Sequence, residues 1–167
     1  NGDLKNSGTI YSKGNTDLRA SRLENDKTIA AERNLSAAAK EDIRNQGKLL
    51  AGENMDIYAG KTLDNAGHAM ESGNNLSIET GDAINNEAGT IKSGGSQQIK
   101  AGHALTNTEG TLAADGNINI QTGRITGDGI VSAGKKAGIL LEKDFTNTGR
   151  LEAGSSCLLY TSDAADD

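Results

Sequence analysis

The sequence predicts an all-β fold, a parallel β-helix or solenoid of about eight rungs of roughly twenty residues each. Three observations predict it: a composition too poor in large apolar residues for one central core, a repeat of about twenty residues, and outward columns whose residues match from one repeat to the next. Of 167 residues, 34% are apolar and 2% aromatic, with 22 Gly, no Pro, no Trp and one Phe. A globule of this length closes its core with aromatics and branched aliphatics. Here Ile and Leu are few but evenly spread, without the long charged or Ser/Pro-rich blocks of a disordered chain. An elongated fold with a thin core repeated along its length meets both conditions.

The repeat is anchored on Leu4, Leu23, Ile43, Leu63, Ile84, Leu105, Ile125 and Phe145, at intervals of 19 to 21 residues. Two positions after each anchor stand Asn6, Asn25, Asn45, Asn65, Asn86, Asn107, then Gly127, then Asn147. A glycine usually follows, as at Gly8, Gly47, Gly67, Gly89 and Gly110, with Lys27 instead in the second repeat. A second apolar or small position comes next: Ile10, Ile29, Leu49, Ala69, Ile91, Leu112, Val131 and Leu151. An alternating stretch closes each repeat, for example Leu76-Ser77-Ile78 and Ile118-Asn119-Ile120. Each unit is therefore two or three short period-2 strands joined by Gly/Asn turns, with Ile and Leu on one face. One such unit cannot bury that face alone, whereas stacked coils cover each other. At about 4.8 Å per coil the stack forms a rod of roughly 35–40 Å.

The residue after each anchor reads Lys5, Glu24, Arg44, Asp64, Asn85, Thr106, Thr126, Thr146. Stacking in register places opposite charges, then Thr, side by side, pairings that favour adjacent strands by roughly 0.2–1 kcal/mol each. The Asn column has its own mechanism. Asn tolerates tight-turn conformations, and its amide can donate to one coil while accepting from the other. The sequence thus assigns a structural Asn ladder to Asn6, Asn25, Asn45, Asn65, Asn86, Asn107 and Asn147. The run from Ala30 to Asp42 is locally helix-forming, but the flanking anchors keep the period, so strands are expected there. Small residues such as Ala20 and Ala37 predict looser packing in the first two rungs.

No catalytic, cofactor-binding or metal site is expected. His68 and His103 lie 35 residues apart in different columns, and no calcium-binding nonapeptide, phosphate loop or nucleophile elbow occurs. A β-helix lyase or glycosidase would need carboxylates converging on adjacent coils, and the acids here are scattered. The formal charge of −6 argues against a nucleic-acid partner. No run of 18 apolar residues predicts membrane insertion.

Residues 157–167, Cys157-Leu158-Leu159-Tyr160-Thr161-Ser162-Asp163-Ala164-Ala165-Asp166-Asp167, break with the period. They resemble the translation of a transposase-type sequencing adapter. A repeat segment spanning 1–156 and a non-native tail over 157–167 that packs on nothing are the expectation, as is a metagenomic fragment internal to a longer chain. Without the tail, the only cysteine is lost and the charge falls from −6 to −3 as Asp163, Asp166 and Asp167 leave.

The runs Leu63-Asp64-Asn65-Ala66-Gly67, Asn75-Leu76-Ser77-Ile78-Glu79-Thr80-Gly81 and Ile84-Asn85-Asn86-Glu87-Ala88-Gly89-Thr90-Ile91 resemble the filamentous-haemagglutinin repeat. That repeat belongs to the exoproteins of two-partner secretion, adhesins and contact-dependent growth-inhibition proteins among them. The resemblance covers about residues 1–154 and is weakest in the second and seventh units. It implies a right-handed β-helix in the shaft of a surface filament of a Gram-negative bacterium. It also implies secretion through a dedicated outer-membrane transporter and a cell-surface receptor of unknown identity. The lack of native Cys and of Pro suits passage of an unfolded thread.

Overall fold

The computed structural model describes residues 2–162 of the chain. The coils form three parallel sheets, of seven, eight and eight strands; each of the first seven coils contributes one strand to every sheet, and the last contributes to two. The first sheet begins with Leu4–Asn6, Leu23–Asn25 and Ile43–Asn45; the second with Thr9–Ser12, Thr28–Ala31 and Lys48–Ala51; the third with Thr16–Ala20, Leu35–Ala39 and Met55–Ala59. Within every sheet a strand pairs with those one repeat before and after it, so the chain is a β-solenoid of about eight rungs. The helix-forming run divides into Thr28–Ala31 and Leu35–Ala39, both strands. Pairing on two sides outweighs a local propensity of a few tenths of a kcal/mol per residue.

The core is one column of side chains per sheet position. Leu23, Ile43, Leu63, Ile84 and Leu105 stack from the first sheet; Ile29, Leu49, Met70, Ile91 and Leu112 stack from the second. Ile57, Ile78, Ile99 and Ile120 stack from the third, flanked by small residues such as Ala59 and Ala101. The inward residue of the fourth rung's second sheet is Met70, not Ala69: Met70 pairs with Leu49 and Ile91, and Ala69 is half-buried. The second rung is not loose, since Leu23, Ile29, Leu35 and Ala37 are all at most 1% exposed. Of these two rungs only the first is half-covered, at Leu4, Ile10 and Leu18, because no coil lies on its outer side in the described residues.

The turn after the asparagine accounts for the step of the repeat from 20 to 21 residues. From Asn6 to the strand at Thr9 the turn holds two residues, Ser7 and Gly8; from Asn86 to Thr90 it holds three, Glu87, Ala88 and Gly89. The added residue takes the left-handed conformation, at Gly67 (φ 73°), Ala88 (φ 52°) and Glu109 (φ 53°). Only glycine adopts it without steric cost.

Two departures mark the last coils. The first sheet ends at Arg124–Thr126. The expected anchor Phe145 only half-packs on the core, with Thr146 and Asn147 exposed and outside any strand. The charged run Glu142-Lys143-Asp144 leads into this segment, and Gly127 in the preceding coil has no amide to hold Asn147. Residues 157–162 also differ from expectation. Ser156–Thr161 forms the last strand of the third sheet, parallel to Lys136–Leu141, so this part of the tail does pack on the coil before it. An open strand edge accepts any segment that can extend, because the bonds are made by main chain. Leu158, Leu159 and Tyr160 stay 42–55% exposed, since no further coil covers them among the described residues. Residues 163–167 lie outside the described residues.

Neighbouring turn residues provide opposite tests. Ala88→Gly relieves a left-handed alanine and is expected to stabilise the fold by about 1 kcal/mol. Gly89→Ala places a Cβ 2.4 Å from the Asn65 carbonyl oxygen and 2.5 Å from Asn86 Oδ1, so its melting temperature is expected to fall by several degrees. Urea melts of the two variants read out both signs.

Candidate functional site

The side chains with the most ordered polar geometry lie along the rod, not in a cleft. Asn6, Asn25, Asn45, Asn65, Asn86 and Asn107 are each at most 7% exposed. A buried amide is costly unless its groups are paired, and these are. The Nδ2 of each of the first five donates to Oδ1 of the asparagine in the following coil: Asn6 to Asn25 at 2.9 Å, Asn25 to Asn45 at 2.9 Å, and Asn45 to Asn65 at 2.8 Å. The chain of bonds continues from Asn65 to Asn86 at 2.9 Å and from Asn86 to Asn107 at 3.0 Å.

Each of these five Nδ2 groups also reaches two carbonyl oxygens. That of Asn86 donates to Gly89 O in its own turn at 3.2 Å and to Thr111 O, in the second-sheet strand of the next coil, at 3.1 Å. Asn25 does the same with Lys27 O at 3.2 Å and Lys48 O at 3.0 Å. Three acceptors share two amide protons, so one bond in each set is three-centred. The asparagine therefore fixes its turn, the next coil's first sheet and the next coil's second sheet at once. The run stops where the sequence departs from it. Asn107 donates only to Ile130 O, at 3.1 Å, since Gly127 (φ 106°) follows it in the column. Asn147 lies apart: it is exposed, and its Oδ1 accepts from its own Gly149 N at 3.2 Å.

A second polar column was not singled out from sequence. It precedes each third-sheet strand at Asn15, Asn34, Asn54, Asn75, Ser96 and Asn117. Here the bonds run the other way, main-chain N–H of one coil donating to the side-chain oxygen of the coil before. Asn34 N donates to Asn15 Oδ1 at 3.1 Å, Asn54 N to Asn34 Oδ1 at 3.1 Å and Ser96 N to Asn75 Oδ1 at 2.9 Å. Asn117 N donates to Ser96 Oγ at 3.1 Å. Its spacing equals the repeat, which is the signal that could have revealed it.

Outward charges pair as neighbours rather than converge. Lys5 meets Glu24 at 3.3 Å and Asp26 at 3.4 Å, and Thr106 meets Thr126 at 3.3 Å. Glu41 accepts from Arg22 at 3.1 Å and Lys61 at 3.4 Å. The Arg22 hydrogen bond, with its charge and that of Lys61, holds the Glu41 carboxyl below its usual range. Such exposed pairs add little stability. His103 Nδ1 lies 2.8 Å from Asp82, while His68 sits in a turn between the first and second sheets. No group of three or more His, Cys, Asp or Glu side chains that could hold a metal gathers among the described residues.

The profile of the haemagglutinin repeat family matches residues 11–159. The chain belongs to this family. No curated protein and no solved structure matches the haemagglutinin-repeat chain.

The ladder predicts an asymmetry between adjacent asparagines. Asn86→Ala removes the acceptor of Asn65 and the donor to Asn107, Gly89 and Thr111, and is expected to cost at least about 2 kcal/mol. Asn85 is half-buried and uses only Oδ1, accepting from Glu87 N at 3.1 Å, so Asn85→Asp keeps its contact and is expected to be near neutral. Equal losses in denaturant melts would show that Asn86 is only a turn former.

Proposed function

We propose that this haemagglutinin-repeat chain is a shaft segment of a large, exported bacterial filamentous adhesin, spanning distance and presenting a distal domain or contact surface. The observation that carries the reading is regularity. From Leu4 to Ala133 every coil returns to the same three sheets through turns of a few residues, with no long insertion. In such a stack each coil contacts only its neighbours, so length can change without changing the fold. The reading is non-enzymatic. An enzyme built on this scaffold would gather reactive side chains at an interruption of the period, whereas the buried asparagines of this chain are spent on the ladder.

Export through a dedicated outer-membrane transporter and display at the surface of a Gram-negative cell belong to the same proposal, on the strength of the family. Two features support them: the repeat segment before residue 157 holds neither Cys nor Pro, and the coils can fold one after another as the chain emerges. A second reading makes the segment a receptor-binding part of a growth-inhibition filament. The outer column at the second coil, where Ala38 stands between Arg19 and Tyr58, is the feature that favours it.

Removing one coil tests the shaft reading. Deleting residues 64–84 joins Leu63 to Asn85, which occupies the position of Asp64 because Leu63 pairs with Ile84 and Asp64 with Asn85. The shortened chain is expected to keep β-rich circular dichroism, a cooperative melt and, within its parent filament, surface display. Deleting residues 64–74 instead breaks the register and exposes apolar faces, so aggregation is expected. Loss of folding in the one-coil deletion, with folding kept in the half-coil deletion, would overturn the proposal.

A further inference from the structure

The first sheet stops one coil short of the other two. Its last strand is Arg124–Thr126, while the second and third sheets go on to Arg150–Ala153 and Ser156–Thr161. The final coil is in register on both sides of this gap. Lys143 N donates to Gly123 O at 3.0 Å, and Arg150 pairs with Ile130. Between those points each coil holds six residues, 124–129 in one and 144–149 in the next. The segment that bypasses the sheet therefore has the length of the strand and turn it would complete. An open sheet edge accepts an extended segment through its main chain. Beside this edge lies a cavity of about 420 Å³ bordered by His103, Arg124, Thr126, Glu142 and Lys143.

The side chains of the segment match the edge position by position. In register, Asp144 falls beside Arg124, Phe145 beside Ile125 and Thr146 beside Thr126. The first is an opposite-charge pair. The last extends a column in which Thr106 and Thr126 already meet at 3.3 Å. Such pairs favour adjacent strands. Ile125 and Phe145 both half-pack on the core already, while Asp144 and Thr146 are exposed. The main chain matches as well. In earlier coils the N–H at the ladder position donates to the next coil, Asn86 N to Thr106 O at 2.8 Å and Asn107 N to Thr126 O at 2.9 Å. The same pattern makes Gly127 N the donor to Thr146 O. Only the clamp is missing. Gly127 (φ 106°) stands where an asparagine would hold the next coil, so closure depends on strand pairing alone.

We infer that residues 144–147 are a latch that closes in register on Arg124–Thr126 and reopens, the structure showing its open state. Closed, the latch makes the eighth coil a three-sided template for a further coil. Open, it interrupts one sheet and leaves the other two continuous, so the rod can loosen at this point without unfolding its neighbours. The inference does not rest on the shaft reading, and its failure would leave the coil-deletion result unaffected.

Disulfide trapping tests it, in the 167-residue chain with its one thiol removed by Cys157→Ser. Closure brings Thr126 and Thr146 to about 4.8 Å, within disulfide reach. Thr106 and Thr146 stay two coils apart, about 9.6 Å, which is beyond it. Thr126→Cys with Thr146→Cys is expected to crosslink under mild oxidation at least tenfold faster than Thr106→Cys with Thr146→Cys. The crosslinked chain is expected to melt higher than its reduced form. Asp144→Arg is expected to slow the trapping at least fivefold, and Arg124→Asp combined with Asp144→Arg to restore it. All these side chains face outward, and circular dichroism checks that each variant keeps its β-structure. Trapping no faster than in the two-coil pair, trapping indifferent to Asp144→Arg, or a crosslinked chain that melts lower than its reduced form would each overturn the inference.

Discussion

In each of the first five coils one side-chain amide joins two coils and two sheets. The Nδ2 of an interior asparagine holds the carbonyl that closes its own turn, the Oδ1 of the next asparagine and a carbonyl of the next coil's second sheet. Parallel pairing alone spaces the coils but lets them slide by two residues without turning a side chain over. The asparagine fixes both the turn and the register. The adjoining glycines follow from it: a side chain at Gly89 or Gly110 would strike the ladder's own oxygen atoms, at 2.5 and 2.4 Å. Where the column loses its amide, at Gly127, the first sheet gains no further strand.

The thinness of the core has a related consequence. With one inward residue per sheet position, a coil buries its apolar side chains only by lying between two others. The first coil shows this, since its Leu4, Ile10 and Leu18 remain half-covered while the second coil's equivalents are buried. Stability of this kind grows with the number of coils and is held in nearest-neighbour contacts. It suits the proposed role as a shaft. It also leaves the outer columns free to vary, because they bear little of the fold.

Much of this was legible in the sequence because the repeat is printed eight times. Anchors, strand phase and the first Asn column follow from period and alternation. Ala69 was misplaced because the one-residue lengthening of the turn after Asn65 cannot be located by spacing alone; the left-handed Gly67 places it. Asn147 matched the column in spacing, yet a ladder needs a partner on the facing coil, and Gly127 provides none. The second column, from Asn15 to Asn117, went unread because asparagine there precedes a strand and resembles ordinary turn composition. The pairing of Ser156–Thr161 was not legible either, since an open edge accepts a strand through its main chain and leaves no pattern in the side chains.

The claim that buried amides clamp the coils is tested most directly by the exchange of the asparagine side-chain protons themselves. In a ¹⁵N-labelled chain, the Nδ2 protons of Asn25, Asn45, Asn65 and Asn86 are predicted to exchange with solvent only as the solenoid unfolds, at rates set by its global stability. Those of exposed Asn147 are predicted to exchange as fast as a free amide. Rapid exchange at all five positions, in a chain whose main-chain amides remain protected, would contradict the account.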